Sequence, residues 1–223
     1  MTVALILTWD GDAAQLTTTR LSAVLASVPG LRRALLHRPA DWPEQEARAP
    51  ALVLQLEFDA LASLQAACAA EGDLQVFPEL LSGMEPASQQ AFRLRRYVTP
   101  EPAGRVSYLV HYPGPALSAS DWLDHYASHH IPLMQKLPAL REMEMLTPID
   151  HVSALPFPQA NHMQRNRVAF DSLSALAAAL RSSVRDEMRA DVAEYPPYRG
   201  GVFHFAMQTG QIVPARKESS DVA

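Results

Sequence analysis

The chain has 223 residues, 48% of them apolar and 19% charged, which is ordinary for a globular protein and enough for one large or two small cores. Its net charge of −5 is spread evenly, with 8 basic against 11 acidic residues over 1–100 and 11 against 13 over 101–223, so no basic cluster points to nucleic acid or an anionic membrane. The single cysteine, Cys68, excludes an intrachain disulfide and a Cys-rich zinc module.

In chain order, Met1 to Asp10 has no basic leader, and its apolar run is too short for a signal peptide or a membrane span. A cytoplasmic protein is expected, in keeping with one thiol. Val3 to Trp9 predicts a first strand, followed by a helix that stops at Val28-Pro29-Gly30-Leu31, where a second strand begins. After the proline-rich loop Pro39 to Pro50, Glu57-Phe58-Asp59 predicts the end of a third strand with Asp59 as N-cap of an Ala/Leu helix. Cys68 lies in that helix and reads as a small buried hydrophobe. A fourth strand runs from about Ala91 to Val98, and Thr99 to Gly104 is a stiff, turn-rich linker.

The same order then returns. Val106 to Tyr112 predicts a strand, Ser118 opens a helix that ends at Leu137-Pro138-Ala139-Leu140, and Ala169-Phe170-Asp171 leads into a second Ala/Leu helix with Asp171 at its cap. A last strand spans about Gly201 to Gln208, and 214–223 reads as a disordered tail. Strand-helix-strand-strand-helix-strand is ferredoxin-like. The predicted class is α+β: two tandem ferredoxin-like βαββαβ halves, 1–98 and 105–213 with the linker 99–104 between them, packed sheet to sheet as an internal, pseudo-dimeric α/β barrel. Light scattering would show whether such a chain also forms a homodimer.

Seven of the eight histidines lie beyond residue 100, and three of them fall within six residues of the second-half helix. The repeat places Arg20 and Leu21 opposite His129 and His130, so the first half reads as a degenerate scaffold copy and the second as the carrier of a pocket. His130 stands two residues before Pro132, which cannot donate to the Ser128 carbonyl, so the backbone opens there. An imidazole titrating near neutrality suits proton transfer; the competing reading is that His130 only satisfies this local irregularity. Trp122 and Tyr126 share its helical face, either as an aromatic stripe packed on the sheet or, for Tyr126, as a group that orients His130 or donates to a substrate oxygen. His125 and His129 are spaced i, i+4, as metal-binding pairs are, but no third ligand lies nearby in sequence, so no metal is expected.

On the first strand of the second half, Tyr108 and Tyr112 share one face and His111 takes the other. His204 on the last strand can meet either, and the sequence leaves open which face lines a cavity. Tyr195-Pro196-Pro197-Tyr198-Arg199-Gly200-Gly201 reads as a rim or lid at one barrel mouth. No phosphate-cradling glycine pattern occurs, so nucleotides are not expected partners.

His111-Tyr112-Pro113, Asp121-Trp122-Leu123-Asp124-His125-Tyr126-Ala127-Ser128-His129-His130-Ile131-Pro132-Leu133 and Lys136-Leu137-Pro138-Ala139-Leu140 resemble, in order, the His-x-Pro-Leu and Leu-Pro-Gly-Leu pattern of the EthD family of dimeric α/β barrels. Ala139 stands where that family has glycine. The resemblance covers about 104 to 209 well and 1 to 98 only as a degenerate copy. It implies a cofactor-independent acid–base enzyme (isomerase, cyclase, dehydratase or decarboxylase) acting on a small unsaturated or aromatic acid, lactone or polyketide. His130 and Tyr126 would be the catalytic pair, and His129, Tyr108, His111, Tyr112 and His204 would bind the small-molecule ligand. The rival readings are a non-catalytic binding protein for a hydrophobic metabolite and a haem- or metal-binding α/β barrel.

Overall fold

The apolar runs form strands β1 (Val3–Trp9), β2 (Leu31–Pro39), β3 (Leu52–Phe58) and β5 (Val106–Tyr112), and more polar segments form β4 (Ala87–Val98), β6 (Glu142–Pro148), β7 (Gln164–Phe170) and β8 (Phe203–Val213). The computed structural model describes residues 1–11, 18–45, 47–80, 87–98 and 105–213; the expected linker 99–104 and tail 214–223 lie outside the described residues. All pairings are antiparallel, and the strands close into one barrel in the order β1-β3-β2-β8-β5-β7-β6-β4. The first four strands are ordered β4-β1-β3-β2 and the last four β8-β5-β7-β6, the same ferredoxin-like arrangement twice.

Face-to-face packing is only part of how the halves meet. Their edges are also hydrogen-bonded, with Leu94 opposite Leu146 where β4 meets β6 and Leu36 opposite Gly210 where β2 meets β8. The fourth strands run longer than their apolar cores suggest, to Ala87 at one end and Val213 at the other. The extra residues of β8 form the seam with β2, whereas those of β4 lengthen its pairing with β1 and Phe92–Val98 make the seam with β6; the two seams leave no free sheet edge in the barrel.

Helices cover the outside. They are α1 (Thr18–Leu25), α2 (Leu61–Cys68) and α3 (Phe77–Leu80) on the first half, then α4 (Ala119–His125), α5 (Ile131–Met134), α6 (Leu173–Leu180) and α7 (Ser183–Val192) on the second. Among the described residues, no helix is long and apolar enough to cross a membrane. With helices on one face and the lumen on the other, every residue of β1, β3 and β7 is buried. On β1, Val3, Leu5, Leu7 and Trp9 pack with the helices, whereas Ala4 and Ile6 join Phe92, Leu109 and Phe205 in the lumen. Cys68 is buried in the helix-side core, where desolvation pushes its thiol up to about 11, as befits a packing residue.

One end of the lumen holds a network of three arginines and three glutamates drawn from both halves. Arg33 meets Glu142 at 2.9 Å, Arg96 and Arg167 each reach Glu144 at 2.9 Å, and Arg96 and Arg167 also bond Glu57 and Glu142. Gln55 donates to both Glu57 and Glu144 at 2.9 Å. Burial opposes ionisation of Glu144, but Arg167, Arg96 and Arg33 overcome it and hold the carboxyl well below its usual range. Burial and the neighbouring Glu144 push Glu57 the other way.

The repeated landmarks correspond in space. Gly30 and Ala139 both take positive φ, 73° and 58°, just after the helix-stopping prolines. Arg32 pairs with Asp59 at 2.9 Å and Arg141 with Asp171 at 3.3 Å, in each half tying the second strand to the end of the third. The two aspartates are therefore not N-caps, as the sequence suggested. Ser172 caps α6 by accepting from the Ala175 amide, and Ala60 begins α2 without a side-chain cap. A Cβ at Gly30 would come within 2.5 Å of Ser63 Cβ, which demands glycine in the first half. At Ala139 the left-handed backbone carries a Cβ, a conformation that costs about 1 kcal/mol or more. Ala139→Gly is expected to raise stability by about 1 kcal/mol, or about 2–4 °C in thermal denaturation, whereas Gly30→Ala lowers it.

Candidate functional site

Ser118 opens the second-half helix by accepting from the Asp121 amide at 3.4 Å. After α4, residues Tyr126–His130 form a π-turn in which the Ile131 amide donates to the Tyr126 carbonyl, five residues back. The backbone opening expected before Pro132 takes this form, because Pro132 has no N–H for Ser128 and the ladder slips by one residue. Trp122, Tyr126 and His130 share the inward face. The Trp122 and Tyr126 rings stack at 5.1 Å, and His130 follows 5.0 Å from Tyr126. Tyr195 packs edge-on against both Trp122 and His130.

His130 is 3% exposed, and its Nδ1 lies 2.7 Å from Oδ2 of Asp191 on α7. The other oxygen of Asp191 takes Nε2 of His125 at 3.1 Å. An ionised carboxylate only accepts, so Nδ1 of His130 carries the proton and Nε2 presents its lone pair. Burial lowers the His130 pKa, and Asp191 opposes this without reversing it. The ring is therefore neutral at pH 7 and suited to accept a proton.

His130 borders a cavity of about 170 Å³ between the helix-facing side of β5, β7 and β8 and the second-half helices. Its wall is aromatic and aliphatic, with Tyr108, Tyr112, Tyr126, Phe170 and Tyr198 prominent. The polar groups are His130, Asn166, His204, Arg185 and Arg189. Asn166 donates to the Tyr126 hydroxyl, which in turn reaches Met134 Sδ at 3.5 Å. Burial holds Tyr126 well above the usual phenol range, so it is a hydrogen-bond donor and not a phenolate. His204 stacks on Tyr108 at 5.3 Å and is driven to about 4 by burial and then by Arg185. No carboxylate among the described residues lies within ion-pair distance of Arg185.

Of the residues expected to form a site, the structure brings His130, Tyr126, Tyr108, Tyr112 and His204 together around this cavity. Two lie elsewhere. His129 is one helical step from His130, so it is exposed, bonded to Ser128 Oγ at 2.9 Å and stacked on His125. His111 alternates with Tyr112 and points into the barrel lumen against His162 and Phe205. Tyr198 of the expected rim lines the cavity. Asp191, Asn166 and Arg185 were not anticipated, although Arg185, Met188, Arg189 and Val192 recur at i, i+3, i+4, i+7 and mark the inner face of α7. The matching space of the first half is packed with Trp9, Leu21, Leu25, Phe58 and Phe77, all essentially inaccessible.

No protein-family model and no curated protein matches the sequence. Solved structures resemble this chain in fold. An anthrone oxidase-like protein superposes with a TM-score of 0.63 at 10% identity, covering 98% of this chain and 96% of that one. A monooxygenase-like protein from Lactobacillus acidophilus gives 0.56 at 11%, covering 94% and 95%. A chlorite dismutase-like protein gives 0.52 at 9%, covering 95% of each. The fold is that of the dimeric α/β barrels.

In this α/β barrel the site lies outside the barrel wall, beneath the helices. Burial, the largest cause in each case, lowers the pKa of six imidazoles, His37, His111, His130, His151, His162 and His204, with His37 and His162 at about 3. The unfolded chain takes up these protons near pH 6.5 and the folded one only at lower pH, so stability is complete above about 6.5 and is lost as pH falls. The urea midpoint is expected to drop steadily from pH 7 to pH 4.5. A flat profile over that range would contradict the buried neutral rings.

Proposed function

We propose that the protein is a cofactor-independent acid–base enzyme of EthD type that takes a proton from a small aromatic or unsaturated acid. The His130–Asp191 pair facing an aromatic cavity carries this reading. In the proposed step, Nε2 of His130 accepts a proton from an acidic C–H or O–H of the ligand, leaving an enolate or carbanion and an imidazolium stabilised by Asp191. Tyr126, held by Asn166, donates to the developing oxyanion, and Arg185 neutralises the ligand's acidic group. Returning the proton to another carbon gives isomerisation, and returning it to a leaving oxygen gives dehydration. The names of the anthrone oxidase-like and monooxygenase-like neighbours suggest a third outcome, reaction of the carbanion with oxygen, which starts from the same proton abstraction. We also read the halves as copies of one unit, 1–98 as scaffold and 105–213 as bearer of the site; the repeated strand order and the paired Pro and Arg–Asp landmarks support this.

Haem is the second reading, prompted by the chlorite dismutase-like neighbour and by an Nε2 free to ligate a metal. The cavity argues against it. About 170 Å³ falls below the roughly 300–1,000 Å³ of sites for drug-sized ligands and takes one or two rings, not a porphyrin. The test is solvent exchange: small phenolic and unsaturated acids incubated with the protein in D2O are followed by NMR for deuterium uptake at carbon. Catalysed exchange is expected; Soret absorbance in the purified protein would favour haem. Because burial holds His130 below 6.5, kcat/KM is expected to rise with pH along a limb centred below that value and to be level at pH 7. Asp191→Asn removes the opposing influence and is expected to move that limb to lower pH.

A further inference from the structure

We propose that the barrel lumen contains a binding site for a monatomic anion of chloride size, held by the in-plane N–H groups of Arg165. This lumen lies across the β7 wall from the cavity at His130, and the inference does not depend on the function proposed above. Arg165 is 4% exposed, yet no carboxylate among the described residues is within ion-pair distance of it. The lumen's other arginines differ, since Arg33, Arg96 and Arg167 are matched by Glu57, Glu142 and Glu144. Only one Arg165 nitrogen is engaged, Nη2 donating to His162 Nδ1 at 3.0 Å; buried Nε and Nη1 have no partner among the described residues.

The guanidinium also lies over the Phe92 ring, 5.6 Å from its centroid. Such a contact is weak beside a full ion pair and covers the face of the group, leaving in-plane Nε and Nη1 unanswered. Desolvating a lone ion costs more than one such contact returns, so the contact does not offset burial. Arg165 borders an internal space of about 10 Å³, close to the size of one solvent-sized sphere. Arg167, His37, His111 and Gln55 also border it, and no carboxylate does. Arg167 is already matched by Glu142 and Glu144, so the uncompensated charge at this space is that of Arg165; the space is too small for sulfate or an organic acid, and a single halide enters with a small outward shift of the lining side chains. A neutral water would satisfy the N–H groups and leave the charge uncompensated.

Two measurements test the site. Crystals of the full chain grown in sodium bromide should show an anomalous peak within about 3.5 Å of Arg165 Nε or Nη1. Water alone in that position at saturating bromide would overturn the proposal. In solution, replacing sodium gluconate by sodium chloride at fixed ionic strength should raise Tm saturably, by about 3–6 °C at tenfold saturation. Arg165→Met should abolish that response, and Arg185→Gln, which alters the other cavity, should keep it. An unchanged chloride response in Arg165→Met would also overturn the proposal. Should that variant not fold, the bromide map decides alone.

Discussion

Replacing His130 by glutamine is expected to leave the fold intact and to slow catalysed proton exchange by about 10²–10⁴-fold, the range for loss of a general acid or base. Glutamine keeps an amide donor for Asp191 but cannot accept and carry a proton. Asp191→Asn should cost a comparable factor, because its amide can donate to Nδ1 and so favour the wrong tautomer. His125 shares Asp191 from the outer side of the helix, so His125→Ala should have a smaller effect, exerted through the position of the carboxylate. Full exchange activity in His130→Gln, with circular dichroism unchanged, would remove His130 from the mechanism.

A second large effect is expected on the lumen side of β7. Arg167 is 1% exposed and engages Glu142, Glu144 and Ser107 at once. Arg167→Met leaves two buried carboxylates short of a partner and is expected to destabilise by about 3–5 kcal/mol, a fall of about 6–20 °C in Tm. Adding Glu144→Gln to the same chain should recover part of the loss, and the double-mutant cycle would measure the coupling. The exposed pair Lys136–Glu187, 3.2 Å apart, is the control, since breaking it should cost at most about 1 kcal/mol. A loss at Arg167 no larger than at Lys136 would mean that the network is solvated in solution.

Local signals carried the sequence reading a long way. The bounds of β1 and β5 follow from their apolar runs, the inward face of Trp122, Tyr126 and His130 from helical spacing, and the backbone opening from one missing N–H at Pro132. The rest depends on distant contacts. Asp191 lies 61 residues from His130, on a helix whose acidic and basic residues resemble any solvated surface. The run Gln164-Arg165-Asn166-Arg167 on β7 has a period of two that ordinarily means a wet face. Only closure of the barrel puts its arginines in a lumen, and that closure depends on the pairing of β4 with β6 and on how far β8 extends past its apolar centre to reach β2. The Asp59 and Asp171 caps failed for a similar reason: an arginine from a neighbouring strand competes for each carboxylate.

Both seams of the barrel join strands of one chain. Where two separate subunits meet, symmetry imposes equal pockets on both, and assembly depends on how much protein is present. Here closure is a unimolecular event, indifferent to dilution, and a substitution on one side is not copied onto the other. The chain can therefore keep Trp9 and Leu21 as filler beneath one set of helices while Tyr112 and His130 border a cavity beneath the other.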